Sequence, residues 1–134
     1  MFLLDASVWV ASGAPANRRH ESASALVRRP PGPLAAIDLT LYEVANVVGV
    51  LDGKPDAART LTQILRRRCG DRIVALDPAL LDITLELATE YGLSAYDASY
   101  VAAARHTGWQ LVSIDLRDLV SKGLAVTPDA ADYP

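Results

Sequence analysis

Four short apolar runs, each separated from the next by helical segments, constrain the fold of this chain most. A strand that is buried on both faces is apolar throughout, and strands that alternate with helices are typical of a parallel sheet. The predicted strands are Phe2–Leu4, Leu34–Ile37, Ile73–Leu76 and Gln110–Ile114, with a candidate edge strand at Leu124–Val126. The sequence therefore predicts an α/β fold, a three-layer α/β/α sandwich around a short, mainly parallel sheet. It does not give the strand order.

Helix caps and turn residues place the helices. Asp77, which is followed by proline, is typical of a helix N-terminus, and Ser94 and Gly108 are suited to begin and end the helix before the last strand. The first helix starts directly after the first strand, and further helices are predicted at residues 16–29, 40–51, 56–68, 78–91 and 116–121. The tail from Thr127 is polar and contains proline, so we expect it to be ordered only where it docks.

Two acids lie where predicted strands end, and two more lie in helices. Asp5 follows the first strand, and Asp115 follows the last. Because open parallel sheets bind ligands outside the carboxyl ends of their strands, both acids stand where chemistry is expected. Asp97 falls in the first turn of its helix, and Glu43 is the only charged residue between residues 39 and 51.

Each acid also has a structural interpretation. Asp97 and Glu43 can each complete a capping box with a hydroxyl residue three positions earlier, and taken singly this is the better explanation of both. Asp5 and Asp115 can be turn residues at strand ends. The occurrence of all four favours a shared site. Capping does not exclude such a site, because a helix N-terminus also keeps a carboxylate ionised.

The segments around these acids resemble the motifs of the PIN-domain nucleases. The matching segments are Phe2–Ser7, Tyr42–Asn46, Ser94–Ala102 and Leu111–Asp115. More narrowly, the chain is similar over nearly its whole length to VapC-type toxins of toxin–antitoxin pairs, which are metal-dependent endoribonucleases. One motif departs from the pattern. These proteins often carry a further acid two residues after the last one, but here it stands three residues on, so Asp118 is an alternative to Asp115 as the fourth ligand.

The resemblance implies a fold, a site and partners. It implies a PIN-like fold in which the catalytic and metal-binding acids Asp5, Glu43, Asp97 and Asp115 meet at one sheet edge. It also implies RNA as the substrate, a small antitoxin protein as partner and a homodimer. Clustered carboxylates repel unless a cation compensates them, and one or two hard Mg²⁺ or Mn²⁺ ions suit oxygen ligands. We expect metal-activated water to hydrolyse the phosphodiester, leaving 5′-phosphate and 3′-hydroxyl ends.

Other polar residues are candidates for supporting roles. Ser7, Asn46 and Ser113 stand beside the acids in sequence and are candidates to orient the ligands. Each has an ordinary alternative, since Ser7 can cap the first helix, Asn46 can pack within its helix and Ser113 can simply be a strand residue. Five arginines are candidate contacts for RNA phosphates, or else solvated surface: Arg18, Arg19, Arg66, Arg67 and Arg68.

Composition limits the remaining possibilities. The length of 134 residues suits one domain, and we expect a single nuclease domain at residues 1–134. The net charge of −3 argues against charge-driven binding of a polyanion over the whole surface. The single cysteine, Cys69, excludes an intrachain disulfide and is expected to be buried. No signal peptide or run of ~18 apolar residues is present, so we expect a cytoplasmic protein without membrane association.

Two rival functions are open at this point. One is a catalytically silent PIN-like module that only binds RNA or protein, and metal-dependent cleavage would distinguish the two. The other is a haloacid-dehalogenase-like phosphatase, which also begins with an aspartate after an apolar strand. That family has a second aspartate two residues later, where this chain has Ser7.

Overall fold

A parallel sheet of four short strands forms the centre of the protein, whose computed structural model describes residues 1–131. The strands are β1 (Phe2–Leu4), β2 (Leu34–Ile37), β3 (Ile73–Val74) and β4 (Gln110–Val112). Their spatial order is β3–β2–β1–β4. Phe2 of β1 pairs with Leu34 on one side and with Gln110 on the other. The predicted parallel sheet is confirmed.

Helices occupy most of the remaining chain. They are α1 (Ala6–Ser12), α2 (His20–Arg28), α3 (Asp38–Val44), α4 (Pro55–Cys69), α5 (Pro78–Tyr91) and α6 (Ala95–Thr107). A π-helical segment, Ala45–Leu51, continues α3, and a π-helical turn, Leu116–Val120, follows β4. Within residues 1–131, no helix has both the length and the apolar character that a membrane crossing requires.

The two faces of the sheet are buried under different helices. One face carries Phe2, Leu4, Leu34, Ala36 and Val112 and packs with residues of α1, α2 and α4. The other face carries Leu3, Ala35, Ile37 and Leu111 and packs with residues of α5 and α6. Successive strand residues point to opposite faces, so each strand contributes to both cores and its buried residues are apolar. The three-layer α/β/α architecture is confirmed.

The capping residues predicted from the sequence begin and end their helices as expected. The Asp77 side chain accepts a hydrogen bond of 2.9 Å from the Leu80 backbone N–H, and Ser94 accepts one of 3.1 Å from Asp97. Gly108 ends α6 with a φ of 75°, a left-handed conformation that glycine adopts without strain. These caps rest on contacts between residues three to five positions apart, which is why the sequence reveals them.

Several boundaries differ from the prediction. The second helix begins at His20 rather than at residue 16, because the Asn17 side chain accepts the Arg19 backbone N–H at 2.8 Å and forms a turn. The third strand ends at Val74, and the Leu76 N–H bonds to the Asp38 carboxylate at 3.2 Å instead of continuing the ladder.

The third helix and the end of the chain also differ. α3 begins at Asp38, two residues early, and widens into a π-helix at Ala45. The predicted edge strand is reduced to one bridge between Val126 and Val112. The tail is ordered where it docks, since Pro128 is buried and the turn Pro128–Ala130 contacts α2. Residues 132–134 of that tail lie outside the described residues.

The strand order creates a crevice at one point of the sheet. The chain proceeds from β1 to β2 and β3 on one side, and then crosses over to place β4 on the other side of β1. The direction of winding therefore reverses between β1 and β4. In open α/β sheets, ligands bind at such a switch point, outside the carboxyl ends of the strands.

Candidate active site

Asp5 lies at the switch point, immediately after β1, and is held by three hydrogen bonds. Its carboxylate caps α1 by accepting the Val8 backbone N–H at 3.3 Å. The Ser7 hydroxyl donates to Oδ1, and the Ser113 hydroxyl donates to Oδ2 at 2.5 Å. Only 6% of Asp5 is exposed. The carboxylate therefore has a fixed position at the carboxyl end of β1.

Burial perturbs the ionisation of Asp5. Removal from water disfavours the charged form and raises the pKa of the carboxyl group from 3.8 to about 6. The hydrogen bonds from Ser113, Ser7 and Val8 oppose this rise, whereas the negative charge of Glu43 adds to it. Asp5 thus carries its charge at neutral pH against an electrostatic penalty that a nearby cation would relieve.

Ser7 and Ser113 also fix the loop that follows β4. The Ile114 backbone N–H donates to the Ser7 hydroxyl at 3.2 Å, and the Asp115 N–H donates to the Ser113 hydroxyl at 2.9 Å. These bonds end β4 at Val112, two residues earlier than predicted, and hold Asp115 close to Asp5. The third candidate of this kind, Asn46, is exposed and makes no side-chain hydrogen bond within residues 1–131.

Three aspartates form a tight cluster, which the Ser113 hydroxyl connects to Asp5 through the Asp115 backbone. Oxygen atoms of Asp97, Asp115 and Asp118 lie within 4.8 Å of one another. Asp115 caps the π-helical turn by accepting the Asp118 N–H at 2.9 Å, and this turn brings both residues to Asp97. Asp115 and Asp118, treated as alternatives from the sequence, are therefore both in the cluster.

Burial and neighbouring charges both perturb the ionisation of Asp97. Burial raises the pKa of Asp97, and the charges of Asp115 and Asp118 raise it further. The Ser94 hydroxyl and the positive charge of Lys122 act in the opposite direction. The Asp97 carboxylate therefore lies among negative charges that only a cation compensates fully.

Glu43 completes the set of acids from the other side of the site. Its carboxylate accepts a hydrogen bond of 2.7 Å from the Tyr100 hydroxyl. Burial raises the pKa of Glu43, the Tyr100 bond lowers it and the charge of Asp97 raises it. The proposed capping box between Thr40 and Glu43 is wrong, since Thr40 lies inside α3 and accepts the Ile37 N–H at 3.2 Å.

Sequence reasoning missed three residues that contact or influence these acids. Tyr100 donates to Glu43, Thr40 lies beside the Tyr100 hydroxyl, and Lys122 affects Asp97. From the sequence, Tyr100 is interpreted as an apolar helix residue and Thr40 as a capping residue. Another role is indicated only by their spacing, since Tyr100 is three residues after Asp97 and Thr40 is three residues before Glu43. Lys122 lies 31 residues from the Tyr91 carbonyl to which it donates at 2.7 Å, so no local pattern reveals it.

The basic candidates separate into two groups. Arg18 and Arg19 line a hollow together with Leu116, the residue directly after Asp115. Arg67 and Arg68 line a different hollow with Ser12, where α1 and α4 end. Among the described residues, the hollow of Arg18 and Arg19 is thus the one that shares a residue with the turn that follows Asp115.

Comparison with known proteins identifies the family. A family model described as PIN domain matches residues 2–121. The chain belongs to the PIN-domain family. The resemblance noted in the sequence motifs is confirmed, and the phosphatase alternative is set aside.

Relatives of this PIN domain include named VapC proteins. Exonuclease VapC9 of Pyrobaculum aerophilum is 36% identical over 95 residues, which span 66% of each chain. The solved structure of Mycobacterium tuberculosis VapC20, described as a Sarcin-Ricin loop cleaving toxin, has a TM-score of 0.68 and 23% identity over 82% of this chain and 85% of its own. A toxin–antitoxin complex from Klebsiella pneumoniae gives 0.71 and 19% over 99% and 100%. At these identities the two structures establish the fold alone.

The acids of this PIN domain fit a hard divalent cation. All the converging donors are carboxylate oxygens, the ligand type that Mg²⁺ and Mn²⁺ prefer. Burial is the main cause of the raised pKa of Asp5 and of Asp97, and the negative charges of neighbouring acids add to both rises. A divalent ion would relieve this repulsion, and the aspartate trio offers it three donors close together.

Proposed function

We propose that this PIN domain is a metal-dependent endoribonuclease and the toxin of a toxin–antitoxin pair. The observation that carries the proposal is the convergence of Asp97, Asp115 and Asp118 beside the buried Asp5 at the switch point of the sheet. Capping accounts for Asp5 and Asp115 taken singly, because each accepts a backbone N–H of the helical turn that it begins. It does not account for several like charges held together against their mutual repulsion.

The acids take distinct parts in this proposal. Asp97 and Asp115, with Asp118, form the main site for one or two Mg²⁺ or Mn²⁺ ions, and Asp5 and Glu43 complete the set of metal-binding and catalytic acids. When bound, such an ion neutralises charge on the phosphodiester and lowers the pKa of the attacking water. Ser7 and Ser113 position Asp5 through the hydrogen bonds described above.

The substrate binds on the same side of the molecule. Arg18 and Arg19 border the hollow next to Asp115, where their charges suit the phosphates of an RNA strand. Arg66, Arg67 and Arg68 lie in the last turn of α4 and are weaker candidates, because the hollows that Arg66, Arg67 and Arg68 line include no residue beside an acid of the site. Asn46 is exposed, and within residues 1–131 its side chain makes no hydrogen bond that would support its suggested role in orienting the ligands.

Residues 1–134 form one nuclease domain in this proposal, and its partners follow from the family. The matched Klebsiella structure is a toxin–antitoxin complex, which supports a small antitoxin as partner here. Large apolar side chains are exposed on several helices, which supports further protein contacts, including a homodimer: Tyr42, Val50, Leu51, Leu81 and Leu85. We place the activity in the cytoplasm, where RNA substrates are found.

An assay with two RNA forms tests the activity. The named relatives point in different directions, since VapC9 is called an exonuclease and VapC20 a loop-cleaving toxin. A structured RNA should be supplied in linear and circular form with Mg²⁺ or Mn²⁺, because a circle has no end for an exonuclease. We expect both forms to be cut, with 5′-phosphate and 3′-hydroxyl ends, and EDTA to stop the reaction.

Matched variants connect the activity to the site. Asp97→Asn should abolish cleavage, whereas Asp71→Asn, which neutralises an exposed acid before β3, should leave it unchanged. Cleavage of the linear form alone would contradict the endonuclease proposal. Binding of RNA without any cleavage would identify a silent binding module, and cleavage that survives EDTA would rule out the metal.

The partner proposals have their own test. Light scattering at micromolar concentration should give the mass of a dimer. Co-expression with the short reading frame next to this gene should yield a complex that no longer cuts RNA. A monomer, or a complex that retains full activity, would contradict them.

A further inference from the structure

Tyr100 is a buried residue whose polar end reaches the acid site. It lies on α6, it is 2% exposed, and its ring packs in the core between α6 and the sheet. Its hydroxyl lies 2.7 Å from Glu43 Oε1 and 3.0 Å from Thr40 Oγ1. Both partners are on α3, about sixty residues away in sequence. The contact therefore joins two helices that carry acids of the site.

The hydrogen bonds form a directed chain. Thr40 Oγ1 accepts the Ile37 backbone N–H at 3.2 Å, so the hydroxyl proton of Thr40 is free to be donated to the Tyr100 oxygen. The single proton of Tyr100 is then directed to the Glu43 carboxylate, which is the stronger acceptor. The chain thus runs from the backbone at the end of β2 through two fully buried hydroxyls to one carboxylate.

The spacing of these residues makes the hydrogen bonds a clamp, that is, a contact that fixes α3 and α6 relative to each other. Thr40 and Glu43 are three residues apart on α3, and Asp97 and Tyr100 are three residues apart on α6. Side chains at this spacing share one helix face. The hydroxyl of Tyr100 therefore sets how the acid of α3 stands relative to the acid of α6.

Glu43 needs such a clamp for two reasons. Its side chain has three rotatable bonds and is only partly buried, so it has freedom to turn toward solvent. The neighbouring carboxylates of Asp5 and Asp97 repel it. Within residues 1–131, Tyr100 is the only side chain that donates a hydrogen bond to Glu43 and holds it inward.

We propose that Tyr100 is a positioning residue, whose hydroxyl, itself fixed by Thr40, holds the Glu43 carboxylate in place for the cation and the substrate phosphate. The inference rests on the proposed function, because it deepens the account of the same site. Tyr100 does not touch the substrate. Its effect passes entirely through Glu43, and this is the feature that an experiment can isolate.

The first measurement is the affinity of the protein for Mn²⁺ alone, by electron paramagnetic resonance or calorimetry. Tyr100→Phe keeps the ring and removes the hydroxyl, and we expect Mn²⁺ to bind about tenfold more weakly, as is usual when a ligand loses its supporting hydrogen bond. Tyr91→Phe is the matched control. It removes a tyrosine hydroxyl that contacts Arg105 at 3.1 Å, and Mn²⁺ affinity should not change.

A double-mutant cycle then tests the route of the effect. In a Glu43→Ala background, Tyr100→Phe should cause no further loss of Mn²⁺ affinity, because the group it positions is absent. In RNA cleavage, Tyr100→Phe should lower kcat with little change in KM. An equal loss of Mn²⁺ affinity in both backgrounds would refute the proposal, since the hydroxyl would then act on the structure in general.

Thr40 provides a second test that does not depend on the folding of Tyr100→Phe. Thr40→Val removes the hydroxyl that fixes Tyr100 and should weaken Mn²⁺ binding, whereas Thr40→Ser keeps it and should restore wild-type affinity. Equal affinities of the Val and Ser variants would overturn the proposal. If the wild-type protein binds Mn²⁺ but cuts no RNA, the nuclease proposal fails, and the affinity cycle still decides the role of Tyr100.

Discussion

Replacement of Asp5 by asparagine should stabilise the metal-free protein at neutral pH while abolishing cleavage. The change keeps the shape of the side chain and removes its charge. Burial raises the pKa of Asp5 to about 6, so the ionised group destabilises the folded state relative to the unfolded chain, where its pKa is near 3.8. Asparagine carries no such penalty at any pH.

The sign and size of the effect follow from this pKa. Because the folded value is the higher one, the contribution of protonated Asp5 to stability is fully present below about pH 4 and is lost as the pH rises through about 6. A difference of roughly two pH units corresponds to about 3 kcal/mol. The amide of asparagine replaces one hydrogen-bond acceptor, which costs about 1 kcal/mol. The net gain is therefore about 2 kcal/mol, or roughly 6–10 °C in melting temperature.

Urea unfolding followed by circular dichroism between pH 4 and pH 8, in EDTA, measures this directly. The free energy of unfolding of the wild type should fall relative to that of Asp5→Asn as the pH rises. Added Mg²⁺ should reverse the order, because an ion that binds only the folded state stabilises the wild type and binds the variant weakly. Asp71→Asn, an exposed neutralisation before β3, is the control and should follow the wild type.

One result would refute the reasoning. If metal-free Asp5→Asn melts several degrees lower than the wild type at pH 8 and still cuts RNA, Asp5 is a structural strand-end residue. The hydrogen bonds from Ser7, Val8 and Ser113 would then outweigh the desolvation of the charge. The site described here would have to be placed elsewhere.

Three further predictions concern single residues. Asp77→Ala removes the cap of α5 and should cost about 1 kcal/mol in urea unfolding while leaving cleavage unchanged; a loss of activity below the melting temperature would contradict this. Asp118→Asn should weaken Mn²⁺ binding measured by calorimetry about as much as Asp115→Asn, and an unchanged affinity would remove Asp118 from the metal ligands. Burial raises the pKa of Cys69 to about 12, so a thiol reagent should label it only in urea, and rapid labelling of the native protein would contradict its buried position.

The candidate site was only partly predictable from the sequence. Asp5 and Asp115 could be identified because each follows a buried strand, and parallel strands bring their carboxyl ends to one edge. Whether Asp118 also joins them could not be decided, since that depends on how the turn Leu116–Val120 winds. The π-helical winding presents Asp115 and Asp118 together to Asp97. The hydroxyl of Tyr100 at Glu43 could not be foreseen either, because α3 and α6 meet only in the folded protein.

The sequence by itself determined those features that depend on neighbours a few residues apart. Short, mainly apolar runs revealed the four strands, and Asp77, Ser94 and Gly108 revealed helix ends, because strand burial and helix capping are local requirements. Only the tertiary structure decided the order β3–β2–β1–β4, the end of β4 at the serine hydroxyls and the pairing of Tyr100 with Glu43. These depend on contacts between residues more than thirty positions apart, and the packing and charge interactions of such residues are not contained in any local pattern.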